Sequence, residues 1–365
     1  MIMLENNNSD VSPIANENRT CILPIDPVAE VISYATIYSI LLIASLVRNS
    51  LLIFACLKSK TTINLIITNE AVSDLLYSIV HLTREIVVQI TGSTAFLVHG
   101  WIGHVLCKIC TFTVDAAIAV STLSLILVAA DRLVAVVFPT EYNQITVKKR
   151  RLLILSTWIV AMAIHSPYFY TFRLDAINGE TFCFTNWEPA FNHESTHTRY
   201  YTALLFVVLI VPLVTVSILQ TITLLKLRQD NMMPFRTSIA NQRHKKNNKN
   251  LLKMSVVIVL AFALCWLPFI AFQFLFLFFP SSIPRCSLGF TIVSKLAFLF
   301  SLCHCIVNPF ICFSFMRRVR IAINLATEKK SLTFMETRLW QLAEKPNTLL
   351  GFSQFTVATY QTYSK

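Results

Sequence analysis

Cys107–Pro139 reads CKICTFTVDAAIAVSTLSLILVAADRLVAVVFP. It is a long apolar run with polar residues at a few set heights. Arg132 lies 25 residues after Cys107, so a helix rising about 1.5 Å per residue separates them by roughly 37 Å. A hydrocarbon core is about 30 Å thick. One helix therefore holds Cys107 at one membrane face and Asp131–Arg132 at the other, with Asp115, Ser121 and Ser124 buried between. Such a layout suits a device that carries a signal across a bilayer without carrying matter.

Composition points the same way. Hydrophobic residues make up 55% of the 365 and charged residues 14%, against about 25% charged in soluble domains; mean hydropathy is +0.61. The net charge of +12 is placed in patches. Lys148, Lys149, Arg150 and Arg151 separate two apolar runs; Arg243, Lys245, Lys246, Lys249 and Lys253 separate two more; Arg317, Arg318 and Arg320 follow the last. These are alternate connections of one hydrophobic series, as the positive-inside rule expects of cytoplasmic loops. No basic face alternates with aromatics, which argues against a nucleic-acid partner.

Seven apolar segments are long enough to span, near Val31–Leu57, Ile63–Ile90, Val105–Phe138, Leu152–Phe172, Tyr200–Leu227, Leu251–Phe279 and Leu288–Phe315. The expected fold is an all-α membrane protein: a seven-transmembrane helix bundle with a short interfacial C-terminal helix. With the basic loops inside, the N-terminus lies outside. Residues 1–30 read as an extracellular tail exported with span 1 rather than as a signal peptide. Asn7 and Asn18 in that tail head Asn-x-Ser/Thr glycosylation sequons. The membrane domain covers 31–327, including the basic–apolar stretch MRRVRIAINLA after Phe315, which reads as an interfacial helix. Residues 328–365 form a cytoplasmic tail. No internal repeat suggests the paired halves of a transporter.

Charged and polar residues inside spans are costly and usually functional. Asn49 marks span 1, Asp74 span 2, Ser121 and Asp131–Arg132 span 3, Trp158 span 4, Pro212 span 5, Phe262-x-x-Cys265-Trp266-Leu267-Pro268 span 6, and Asn308-Pro309 span 7. In this order the marks resemble a rhodopsin-like (class A) G-protein-coupled receptor, over about Val31 to Ala326.

The resemblance implies roles. Arg132, paired at rest with Asp131, engages the G protein. Phe262, Trp266 and Pro268, with Asn308 and Pro309, form the activation switch, because prolines kink helices into levers. Cys107 and Cys183 form the family's extracellular bridge. Cys21 and Cys286 are expected to form a second one, joining the tail to the loop before span 7. Asn49, Asp74, Ser121, His304 and Asn308 form a polar network at the family's internal sodium site. His304 stands where an Asn or Ser ligand is usual, and two readings stay open: an allosteric sodium ion at Asp74, or a proton-linked Asp74–His304 contact. No other cofactor or metal is implied.

The chain departs from the family elsewhere. Leu133, Cys312 and Gln220 stand where activating tyrosines are usual. Arg48 and Glu70 are unusual charges on neighbouring spans, read either as a buried ion pair or as a snorkelling Arg48 with a protonated Glu70.

The amine-receptor aspartate position is Val114, and Asp115 is rotated by about 100° from it. The pocket is expected to offer Arg84, Glu85, Thr111, Asp115, Arg199, Phe269, Gln273 and Phe298. The extracellular segments are richer in acids than in bases, which attracts a basic ligand. The stretch GETFCFTNWEP around Cys183 reads as a β-hairpin lid. Together these resemble the neuropeptide-receptor branch and imply a basic or amidated peptide agonist. The implied partners are that peptide, a heterotrimeric G protein, arrestin and a receptor kinase at the C-terminal tail, and the lipid bilayer of the plasma membrane. A receptor for a small molecule or lipid, a transporter, and an intramembrane protease built on Asp74 and Asp115 are the competing readings.

Overall fold

In hydrocarbon a backbone must satisfy its own hydrogen bonds, so long apolar runs fold as helices. The computed structural model describes residues 27–58, 63–177, 179–232, 239–279 and 287–315. Among these, seven helices are long and apolar enough to cross a membrane. They are α1 (Pro27–Lys58), α2 (Ile63–Thr91), α3 (Gly100–Val137), α4 (Val147–His165, with a further turn Tyr168–Thr171), α5 (starting at His193 and ending at Met232), α6 (Ile239–Phe278) and α7 (Leu288–Phe315). A short helix, Pro139–Gln144, joins α3 to α4.

The sidedness of the bundle is that of a membrane protein. On α1, Ile40, Ile43 and Val47 are exposed while Ser45 and Asn49 are buried. Polar groups point inward and hydrogen-bond between helices where water is absent. Ser45 and Ser78 share a 2.6 Å hydrogen bond, and Asn49 donates to the Cys305 carbonyl across α1 and α7 at 2.8 Å. Asn69 donates to Ser124 at 2.9 Å and accepts from Trp158 Nε1 at 2.8 Å, which ties α2, α3 and α4 together. α3 touches α2, α4, α5 and α6, and so carries the bundle's interior.

Local sequence explains the irregular points. Pro212 has no N–H to offer the carbonyl four residues earlier, and α5 widens into a π-helical stretch, Leu205–Ile210, just before it. α2 has a second π stretch at Ser78–Leu82, where Ser78 Oγ donates to the Asp74 carbonyl at 2.7 Å. Thr146 and Asn192 cap α4 and α5 by accepting from Lys149 N and Ser195 N.

The expected hairpin is present. β1 (Phe172–Ile177) pairs antiparallel with β2 (Glu180–Thr185), Leu174 opposite Cys183. Gly179 turns the hairpin at φ 87°. Cys183 is disulfide-bonded to Cys107 on α3. At Gly103, one turn before Cys107, a Cβ would lie 2.7 Å from Leu174 Cδ2 and 2.1 Å from the Val98 carbonyl oxygen, so only glycine lets the hairpin sit this close to α3.

The helices outrun the apolar stretches. α6 begins at Ile239 rather than Leu251, and α5 at His193 rather than Tyr200. Hydropathy marks the membrane part of a helix, and charged turns continue beyond it. Span 4 runs to Thr171, within one residue of its expected end at Phe172, which opens β1. The sequons at Asn7 and Asn18, the Cys21–Cys286 pair, the interfacial helix and the 328–365 tail lie outside the described residues.

Candidate functional site

Three buried clusters run along the bundle from the hairpin end to the basic end. The first surrounds Asp115, whose carboxylate accepts from the Tyr168 hydroxyl at 2.5 Å. His165 packs edge-on to Tyr168, ring centroids 5.5 Å apart, and donates from Nδ1 to the Ala161 carbonyl. Asp115 and His165 border a small cavity of about 20 Å³, with Ile118, Leu204, Val208, Leu209 and Trp266 as the other walls; it has room for roughly one water. Trp266 Nε1 is buried without a hydrogen-bond acceptor.

Of the residues expected in the pocket, Asp115 lines this cavity and Phe269 packs on its Trp266 wall at 5.8 Å. The others lie apart from it. Glu85 is buried with its carboxylate 4.0 Å from His81, and Phe298 meets the His81 ring edge-on at 5.9 Å. Thr111 donates to the Cys107 carbonyl, Gln273 is half-buried, and Arg84 and Arg199 are exposed. His165 was not foreseen for this cluster, and Tyr168, an aromatic expected at the pocket rim, was not foreseen as the partner of Asp115. The signal was available for His165: Arg150, Thr157, Ala161 and His165 are the buried positions of α4, spaced seven, four and four, which is one helical face.

The second cluster is the expected polar network. Asp74 accepts from Ser121 at 3.2 Å, and Asn308 faces the same carboxylate from α7. His304, 1% exposed, points Nε2 at Asp74 from 4.0 Å and donates from Nδ1 to the Ser301 carbonyl. Its ring lies 5.1 Å from Trp266, 4.8 Å from Tyr77 and 6.4 Å from Phe262, while Phe262 and Trp266 are 5.8 Å apart. Phe262 and Trp266, the aromatics expected in the activation switch, thus meet the Asp74 network through His304. A hard cation takes oxygen ligands; Asp74 Oδ2 and Asn308 Oδ1 are buried here without hydrogen-bond partners, while the His304 imidazole, 4.0 Å from Asp74 Oδ1, suits such a cation poorly.

The Arg48–Glu70 ion pair is absent. Arg48, half-buried, stands over the Phe310 ring at 5.2 Å. Glu70 is buried, and its Oε1 has no hydrogen-bond partner. Similar depth on neighbouring helices did not bring them together, because the Arg48 side chain turns towards α7.

The third cluster closes the basic end. Asp131 and Arg132 pair through Oδ2 and Nη2, as expected. A further partner was not foreseen. Arg150 of α4, 3% exposed, donates to Asp131 Oδ1 from Nη2 at 2.9 Å and from Nε at 3.2 Å. Tyr142 of the short helix reaches Asp131 Oδ2 and Arg132 at 3.4 Å each.

The chain matches the family described as 7 transmembrane receptor (rhodopsin family) over residues 48–312. It is 28% identical over 239 residues to the QRFP-like peptide receptor of Branchiostoma floridae, covering 64% of this chain and 61% of that one. To the Substance-K receptor of Homo sapiens it is 26% identical over 239 residues, covering 65% and 58%. To that of Mesocricetus auratus it is 27% identical over 246 residues, covering 67% and 62%. The chain spans about three fifths of the length of the curated relatives it matches.

Proposed function

The chain belongs to the rhodopsin family of seven-transmembrane receptors, multi-pass membrane proteins, and from that premise we propose that it binds an extracellular peptide, basic or amidated, and activates heterotrimeric G proteins from the plasma membrane. The observation that carries this reading is the hairpin pinned by Cys107–Cys183 at the same end of α3 as the Asp115–Trp266 cavity. The peptide-receptor names of the relatives support the ligand class. The basic runs at the opposite end support an extracellular hairpin.

In this reading Asp115 and the residues above it take the ligand. A shift of Trp266 repacks Phe262 and His304, and through His304 disturbs Asp74. Pro268 removes a helix hydrogen bond at that height, so α6 has a hinge where the repacking occurs. The rearrangement selects a state in which Arg132 leaves Asp131 for the G protein. Arrestin and a receptor kinase would act on the C-terminal tail. His304, rather than a sodium ion, serves as the partner of Asp74. Asp74 accepts from Ser121 and Asp115 from Tyr168, so the two acids belong to different clusters, which disfavours the aspartyl-protease reading.

The test is a screen of amidated peptides with a G-protein dissociation readout, comparing the parent with Arg132→Ala at matched surface expression. Arg132→Ala should keep peptide binding and lose coupling. A lipid or small-molecule hit with no active peptide would overturn the ligand class. Full coupling by Arg132→Ala would overturn the mechanism.

A further inference from the structure

Asp131 meets more positive charge than one carboxylate can neutralise. Its Oδ1 accepts twice from Arg150, and the third guanidinium nitrogen of Arg150 donates to the Ile145 carbonyl at 3.2 Å. The Arg150 guanidinium also stands over the Tyr142 ring at 5.0 Å. All three Arg150 nitrogens are therefore engaged. Arg132 is bound less completely. It meets Oδ2 through Nη2, touches the Tyr142 hydroxyl at 3.4 Å, and its buried Nε has no acceptor. In sequence, residues 239–253 at the start of α6 contain five Lys or Arg and no acid.

Removing one member of a buried ion pair is expensive mainly because the other is left behind uncompensated. With two arginines on one carboxylate, that cost falls away for whichever is held less tightly. The fork of Arg150 stays on Asp131 when Arg132 departs.

We propose that Arg150 is a positioning residue of the signalling machinery: it keeps Asp131 paired so that Arg132 can be released to the G protein at low cost. This rests on the receptor reading above. It gives the chain a way to populate the coupling state although Leu133, Cys312 and Gln220 replace tyrosines that the family resemblance leads one to expect. Arg150 does not touch the partner; it acts through Asp131.

The experiment measures agonist-independent nucleotide exchange on each class of G protein, per receptor at the cell surface, for the full chain and four variants. Arg150→Met should lower exchange by roughly tenfold, because Arg132 then becomes the sole counter-charge of Asp131. Arg150→Lys keeps the charge without the fork and should fall between; it also serves if Arg150→Met does not reach the surface. Asp131→Asn should exchange at or above the parental rate. Adding Arg150→Met to Asp131→Asn should then change nothing further, because the carboxylate through which Arg150 acts is gone. Parental exchange in both Arg150→Met and Arg150→Lys would overturn the proposal. So would an equal fall in the Asp131→Asn background, which would mark Arg150 as merely structural. No exchange by parent or Asp131→Asn on any G protein would sink the coupling reading itself, and this proposal with it.

Discussion

Asp115 and Asp131 are both buried carboxylates on α3, 16 residues apart, or about 24 Å at helix rise. Their surroundings differ in kind. Asp115 is held by a phenol, beside a histidine and a water-sized cavity. Asp131 is gripped by two guanidinium groups and a tyrosine. A carboxylate that is held by a phenol and borders a small cavity has room beside it, so in the proposed reading such a site can reward an arriving cation. A carboxylate that already holds two cations has nothing to gain from a third, and what it can do is let one go. In the proposed reading the same side chain on the same helix serves reception at one end and release at the other, and the difference lies in its neighbours.

The widest separation of the two ends comes from the disulfide. Cys107→Ala or Cys183→Ala should remove the pin on the hairpin, costing about 2–5 kcal/mol. Surface expression or peptide binding should be lost, and a radioligand or flow-cytometry assay reads both. Normal binding by both variants would show that the hairpin needs no pin.

Asp115→Asn should be the next largest. It keeps the Tyr168 contact and removes the charge, so a basic peptide's dose–response should move about tenfold or more to higher concentration, as loss of a charge-assisted hydrogen bond implies. The maximum should stay near normal, which is the mirror image of Arg132→Ala. An unchanged midpoint would place the ligand's cation elsewhere.

A smaller effect is expected at Tyr142→Phe. Its hydroxyl contacts at 3.4 Å are long, and a weak hydrogen bond of this kind contributes no more than about 1 kcal/mol. Basal exchange should change by less than about fivefold, against the roughly tenfold fall set for Arg150→Met. A Tyr142 effect exceeding that of Arg150 would reverse the ranking of partners at Asp131.

The smallest expected effect is none. Replacing sodium by potassium at constant ionic strength should leave the melting temperature of the purified chain unchanged, since in the proposed reading His304, 4.0 Å away, is the partner of Asp74. A sodium-specific rise would restore the ion that His304 is taken to displace.

Hydrophobic length and the placement of bases were enough to read seven helices, because a bilayer imposes one thickness and one backbone solution on every span. The Cys107–Cys183 bridge, the hairpin and the Asp131–Arg132 pair followed from the family resemblance and from residues adjacent in sequence or at span ends. Cross-helix partners were legible only in part. Arg48 and Glu70 look matched in depth, yet Arg48 rests on Phe310. Arg150 sits in a run of four bases that reads as loop charge, and the α4 face that carries Thr157, Ala161 and His165 turns it alone of the four inward.

Composition and order along the chain by themselves determined the spans, their polar heights and the receptor family. Tertiary structure decided which of four consecutive bases reaches Asp131, that Tyr168 holds Asp115, and that the His304 ring lies between Asp74 and Trp266. The physical reason is rotation: each step along a helix turns a side chain by about 100°. Depth can be counted from the sequence, but a contact between helices depends on the facing angle of both, and that angle is set only when the whole bundle packs.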